Sequence, residues 1–297
     1  MWFIYSLITL FFWGAADMFY KLSADKNEKY THLKTAVAVG MIMGLHAVFY
    51  YFTTDGIGFG LTDLVKYLPV SACYIVSMIV GYFGLRYLTL SVSSPIQNSS
   101  GFIVALLALI FFSRKPTPLG IAAIILLSAG VFALSFIESR EEADERKKAE
   151  KKYTSSVFAV TFPLLYCVID AAGTFLDGLY LDEKGWMSED AALLAYEITF
   201  FIVGVVCLVY LIGIKKEKFT LRSEAKRYAA AALETAGQFT YVYAMASSST
   251  VAAPMISAYC VVSMLLSAIF LKEKLSAKKY AVIAVIVVGI VIMGIAE

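Results

Sequence analysis

Charge is scarce in this 297-residue sequence: Asp, Glu, Lys and Arg make up 16% of it, 23 acids against 25 bases. A soluble domain carries roughly 25%, so there are too few charged side chains to clothe a water-facing surface. The net charge of +2 gives no bulk attraction to nucleic acid. Histidine is nearly absent, with two residues, and the four cysteines, Cys73, Cys167, Cys207 and Cys260, have neither zinc nor redox spacing. They read as small buried hydrophobes, and His46, alone in an apolar run, as a hydrogen-bonded side chain rather than a metal ligand. No Gly-x-x-x-x-Gly-Lys-Ser/Thr sequence stands ready for ATP. There is no Gly-x-Gly-Asp, His-Glu-x-x-His or Gly-x-Ser-x-Gly either. The chain is therefore expected not to be an enzyme and to need no cofactor, a membrane-embedded enzyme being the weakest of the alternatives.

Apolar residues fill the space that charge leaves, at 60% of the sequence and a mean hydropathy of +0.76. A helix needs about 20 apolar residues to span a bilayer. Ten such stretches stand out, near 2–21, 33–53, 66–87, 91–112, 117–137, 155–181, 190–214, 226–246, 249–271 and 279–296. They are twice as long as barrel strands and do not alternate, so an all-α membrane protein with ten transmembrane helices is expected. The first stretch lacks a basic leader and carries Asp17 where a cleavage site would need small residues, so it reads as a mature span. Of the 25 Lys and Arg, 21 fall in the odd-numbered connections and 4 (Lys66, Arg114, Lys115, Lys184) in the even ones. Basic residues stay on the cytoplasmic side, which puts both termini outside a cell membrane and the charged segment 138–154 in the cytoplasm as a solvated tether.

That segment divides the spans five and five. With an odd number per half, likeness between the halves means inverted repeats. Shifted by 159 positions, residues 86–137 fall on 245–296 without a gap, and ten of 52 positions agree, among them Pro95 with Pro254, Lys115 with Lys274 and Gly130 with Gly289. Shifted by 153, Trp13 and Asp17 fall on Tyr166 and Asp170, an aromatic-x-x-x-Asp pattern in both. Two inverted five-helix repeats are expected, 1–137 and 155–297.

Together with the FFWG segment of the first span and the terminal SSSTVAAPMISAYCVVSMLLSAIFLKEKLSAKKYAVIAVIVVGIVIMG, this organisation resembles the drug/metabolite transporter superfamily, EamA type. The likeness is strongest at the end of each half, where a proline-bearing helix, a turn and a small-residue helix follow one another. Glu273 occupies the turn position where the family usually has an acid; in the first half Arg114 stands there, a departure. The resemblance implies a secondary carrier and leaves the substrate open.

Ionisable groups inside the hydrocarbon are functional candidates by default. Here they are Asp17, Asp170, Asp177, Glu197 and Glu234, five acids with almost no bases beside them. Asp17 is four residues from Lys21 and has a local ion pair as its plainer reading; Asp177, near the end of its stretch, reads as interfacial. Trp13, Tyr20, Tyr166, Tyr196, Phe239 and Tyr259 lie near the acids, and rings and carboxylates together attract cations. The expected substrate site comprises Trp13, Asp17, Tyr166, Asp170, Glu197, Glu234 and Tyr259, with Asp170 and Glu234 as proton carriers. Pro95 and Pro254 would bend their helices beside a cavity, with Gln97 and Asn98 adding polar contacts. The expected partners are the bilayer and a small cation or zwitterion such as an amino acid or amine, taken across by alternating access. A neutral or anionic metabolite, a nucleoside or sugar derivative, is the alternative. Gly40-x-x-x-Gly44, with Gly81 and Gly84, allows close helix packing within a monomer or across a homodimer.

Overall fold

A computed structural model describes residues 1–23, 28–84, 96–148, 157–217 and 221–296. Among these the chain forms helices and no strands: α1 (Trp2–Ser23), α2 (Thr31–Thr53), α3 (Leu61–Gly84), α4 (Ser100–Phe111), α5 (Pro118–Lys148), α6 (Val157–Gly178), α7 (Glu189–Val209), α8 (Leu221–Ile256), α9 (Tyr259–Phe270) and α10 (Ala277–Ala296). The ends of these helices follow local chemistry. Pro118 opens α5 where its missing N–H costs nothing. At α7, Ser188 Oγ accepts the Ala191 amide at 3.3 Å, with Glu189 and Asp190 in the first turn. Both α6 and α7 finish in a wider π-helical turn, Leu179–Glu183 and Tyr210–Ile214, the first ended by Gly185 at φ +57°, a left-handed conformation that suits glycine.

Among the described residues, seven helices are long and apolar enough to cross a membrane, eight if the bent pair α8–α9 is one span. That is fewer than the ten expected. Part of the expected fourth stretch, with Pro95, lies outside the described residues, as do Arg86 and positions 149–154 of the tether, and its described part, Ile96–Phe111, is short. The expected eighth and ninth stretches do not separate cleanly. Only Ser248 leaves helical geometry (φ −168°, ψ 78°) before the helix resumes. The larger break, a 47° bend, comes at 257–258, three residues after Pro254. Nor is the tether a loop at its start, since α5 carries helix through it to Lys148.

The outer surface is apolar. Leu45, Phe49, Phe52, Ile110 and Val209 are all more than 60% exposed, a surface that suits lipid rather than water. Inside, the closest partnerships cross from the first half of the chain to the second: α1 with α8, α2 with α7, α3 with α6 and α5 with α10, followed by α1 with α9, α3 with α7 and α2 with α8; α4 also packs on α6. Bare backbone makes the closest crossings. A side chain at Gly40 of α2 would run into the Phe200 carbonyl and Gly204 of α7, and one at Gly204 into Gly40. Gly130 of α5 faces Ile286 of α10, while Gly289 of α10 faces Leu127 of α5.

Candidate functional site

Where α1, α3, α6 and α8 meet, they leave a cavity of about 140 Å³, bordered also by Tyr196 of α7, the approach to α4 and the break before α9. Six of the seven expected site residues line it: Trp13, Asp17, Tyr166, Asp170, Glu234 and Tyr259. Helical spacing explains the set. Trp13, Asp17 and Tyr20 lie on one face of α1, Tyr166, Asp170 and Thr174 on one face of α6, and Glu234 and Tyr241 on one face of α8. Two rings rest on glycine for want of room elsewhere, Trp13 over Gly237 and Tyr166 over Gly81.

The seventh residue, Glu197, is elsewhere. Its neighbour Tyr196 faces the cavity, and one residue on a helix turns the next side chain by about 100°, so Glu197 points to α2, fully buried. There both of its carboxylate oxygens meet His46 Nδ1, at 2.7 and 2.9 Å. Asp177, expected to be interfacial, is fully buried in the protein and accepts the Tyr67 hydroxyl, and α6 with its π-helical turn continues beyond it.

Around the cavity the polar groups are engaged. Ser100 Oγ donates to Asp170 Oδ2 at 2.7 Å, and the Tyr20 hydroxyl donates to the Glu234 carboxylate. Trp13 Nε1 donates to the Glu234 carbonyl at 3.2 Å, its ring stacked on Tyr241 at 5.0 Å and edge-on to Tyr259 at 5.9 Å. Tyr74, Tyr196 and Tyr241 form the buried part of the wall; Tyr74 and Tyr241 share a 2.6 Å hydrogen bond, and Tyr74 donates to Thr174 at 3.0 Å. Tyr74 and Tyr241 escaped the sequence reading. The signal was there: each is seven residues, two turns, from a cavity residue already of interest, Gly81 and Glu234. Three carboxyl groups, one tryptophan and six tyrosines thus converge, and among the described residues no Lys, Arg or His lines the space. The described residues also hold no cluster of three His, Cys, Asp or Glu fit to bind a metal.

Ion pairs gather at the helix ends. Arg227 of α8 is bound to Glu224 and Glu28, and Glu28 also takes Lys34 of α2. Burial opposes the charge on Glu28, but Lys34, Thr31 and Arg227 outweigh it and hold the carboxyl below its ordinary value of 4.5. Lys21 reaches Glu273 at 2.6 Å, and Lys279 reaches Glu141 at 3.0 Å.

None of the curated proteins matches the sequence. One solved crystal structure is similar over 99% of this chain and 97% of its own length, at a TM-score of 0.72 and 11% sequence identity, a likeness of fold alone. Residues 189–295 match the EamA-like transporter family. With its apolar helices and lipid-suited surface the protein is a multi-pass membrane protein, and part of its second half, residues 189–295, is similar to the EamA-like transporter family.

Proposed function

We propose that the protein is a secondary transporter of a small cation or zwitterion, working by alternating access with proton coupling or exchange. The observation that carries this reading is the cavity itself: three carboxyl groups and seven aromatic rings, with no basic residue among the described lining. Carboxylates and ring faces both attract an ammonium group. A zwitterion's carboxylate has a place too, at the first turn of α9, which begins beside the cavity at Tyr259 and carries the partial positive charge of a helix N-terminus. Size limits the choice further. A cavity of roughly 150 Å³ accepts benzene, so about 140 Å³ suits an amine or small amino acid better than a nucleoside.

The helix partnerships support two halves related by a pseudo-two-fold axis. Equating α1–α5 with α6–α10 in order, the α1–α8 partnership has α3–α6 as its image, α1–α9 has α4–α6, and α2–α7 and α5–α10 are their own images. Reciprocal contacts follow the same rule: Trp13 over Gly237 and Tyr166 over Gly81, Gly130 against Ile286 and Gly289 against Leu127. Such self-complementary contacts are what a two-fold relation produces. Two similar bundles around one site can rock against each other, exposing the site to either face in turn. Asp170 and Glu234 are the carboxyls whose proton the substrate's charge displaces.

The test is counterflow exchange of labelled amines and amino acids by the full chain in liposomes. Trans-stimulation by unlabelled substrate is expected, which a channel does not give. Asp170→Asn and Glu234→Gln should each leave the protein in the membrane and cut proton-driven uptake by about tenfold or more, the loss of one charge-assisted contact. Full uptake by both variants would remove the coupling role.

A further inference from the structure

Residues of the cavity wall come in matched pairs. Shifted by 153 positions, Trp13 and Asp17 of α1 fall on Tyr166 and Asp170 of α6; shifted by 159, Ser100 at the start of α4 falls on Tyr259 at the start of α9. All six line the cavity. Each of the first two rings rests on a glycine of the helix beside it, Trp13 on Gly237 of α8 and Tyr166 on Gly81 of α3. Each aspartate stands by the first turn of a short helix from the other half of the chain. Ser100 Oγ donates to Asp170 Oδ2 at 2.7 Å. On α1, Gly14 abuts the Tyr259 carbonyl and Trp13 lies edge-on to the Tyr259 ring at 5.9 Å, so Asp17, one turn on from Trp13, borders the cavity beside α9. The starts of the two short helices are close together, since a side chain at Gly101 of α4 would run into Ser257, at the break before α9.

The two aspartates belong to different helix pairs, Asp17 to α1, packed on α8, and Asp170 to α6, packed on α3. A helix N-terminus favours an ionised carboxylate, and each of them has one nearby. The third carboxyl has no such match. Gly81 and Gly237 set a shift of 156 positions between α3 and α8, which lays Glu234 on Met78, an apolar residue of the same cavity. Glu234 also already receives the Tyr20 hydroxyl. With no base among the described lining, a single ammonium group answers one aspartate and leaves the other, and a buried charge without a partner is costly. A zwitterion brings its own carboxylate toward the second aspartate, which repels it. The ligand that answers both is alike at its two ends, with an apolar middle for the rings and Met78. Size agrees: a cavity of roughly 150 Å³ takes benzene, a four-carbon diamine has as many heavy atoms as benzene, and this cavity is about 140 Å³.

We propose that the substrate is a short linear diamine, bound across the pseudo-two-fold axis with one ammonium group on Asp17 and the other on Asp170. The proposal rests on the transporter reading and narrows its small cation to a dication. Glu234 is then the carboxyl that the ligand's two ends leave over. A ligand alike at both ends presents the same group to each half of the protein, whichever face of the membrane the cavity opens to.

Three molecules of similar length separate the possibilities: 1,4-diaminobutane with two cationic ends, butylamine with one, and 4-aminobutanoate with a cation and an anion. Titration calorimetry on the purified full chain at neutral pH should show the diamine binding about tenfold or more tighter than butylamine, the worth of a second charge-assisted contact, with 4-aminobutanoate the weakest. Counterflow in liposomes should follow the same order. Asp17→Asn and Asp170→Asn should each bring the diamine down to butylamine's affinity, while butylamine, which keeps the other aspartate, loses much less. The comparison of ligands uses the wild-type chain and stands if a variant does not fold. Butylamine or 4-aminobutanoate binding as tightly as the diamine, or equal losses for diamine and monoamine in both variants, would overturn the proposal; exchange of those ligands would leave the transporter reading intact. No binding or exchange of any of the three would sink the cationic reading of the cavity as well.

Discussion

His46 Nδ1 bridges both oxygens of Glu197, at 2.7 and 2.9 Å, across the interface between α2 and α7. The pair lies away from the cavity, with the histidine ring stacked against Tyr50 at 5.8 Å and edge-on to Phe239 at 5.9 Å. One turn farther, Tyr50 donates to Asp190 at 2.8 Å, so α2 and α7 are joined twice on the same faces. The pair is expected to hold α2 against α7. Removing the histidine strands a buried carboxyl, which costs between the ~1 kcal/mol of a membrane hydrogen bond and the ~3 kcal/mol or more of a buried charge left alone. His46→Ala should lower the melting temperature in detergent more than Glu197→Gln, which keeps an acceptor facing the ring. Neither should change substrate affinity; a binding defect in folded Glu197→Gln protein would return this residue to the site.

Gly40 and Gly204 make a second prediction about the same interface. Each occupies the space a side chain on the other helix would need, and the obstacles are backbone atoms that cannot step aside. Gly204→Val should therefore separate α2 from α7 and destabilise the protein by about 1–3 kcal/mol or more, the usual cost of overpacking. Gly213 has open space around it, and Gly213→Ala should be silent. Equal melting temperatures for Gly204→Val and wild type would mean that the two helices do not cross this closely.

Lipid makes some features of this protein easy to read in sequence and hides others. A spanning helix must be apolar along its whole length, so most spans announce themselves, and Asp17, Asp170 and Glu234 stand out as carboxyls in apolar surroundings. Which way a carboxyl points is less visible. Glu197 was grouped with Tyr196 because they are adjacent, yet adjacent residues on a helix face different neighbours. Asp177 was placed at an interface because its apolar stretch ends soon after it, while the helix itself continues through a π-helical turn to Glu183. Tyrosine hides best: with 19 in the chain, nothing in composition separates Tyr74 and Tyr241 from rings that only pack. The boundary between the expected eighth and ninth stretches is blurred for a backbone reason, since one residue within α8, Ser248, departs from the helix where a whole turn was expected.

Acid should loosen the end of the bundle that carries Glu28. Its carboxyl is held below 4.5 in the fold by Lys34, Thr31 and Arg227. A group with a lowered value contributes its stability above the unfolded value and loses it as pH falls through the folded one. Melting temperature should therefore drop on acidification from neutral to below pH ~4, and Glu28→Gln should flatten that part of the profile. An identical acid limb in the variant would assign the loss to other carboxyls.

Tyr20 provides the sharpest test of how the cavity holds its acids. Its hydroxyl donates to the Glu234 carboxylate, and the Trp13 indole is tied to the backbone of the same residue at 3.2 Å. Tyr20→Phe keeps the ring and its packing but frees one carboxylate oxygen toward the cavity. A cationic substrate gains an acceptor that no longer serves tyrosine, so amine affinity should rise or hold. Trp13→Phe removes only the indole tie and shortens the ring that stacks on Tyr241 at 5.0 Å. Since a cation over indole is held by ~0.5–2 kcal/mol, that variant should bind amines several-fold more weakly. Titration calorimetry on the purified variants separates the two effects. A loss of affinity in Tyr20→Phe equal to that in Trp13→Phe would mean that the tyrosine hydroxyl itself touches the substrate.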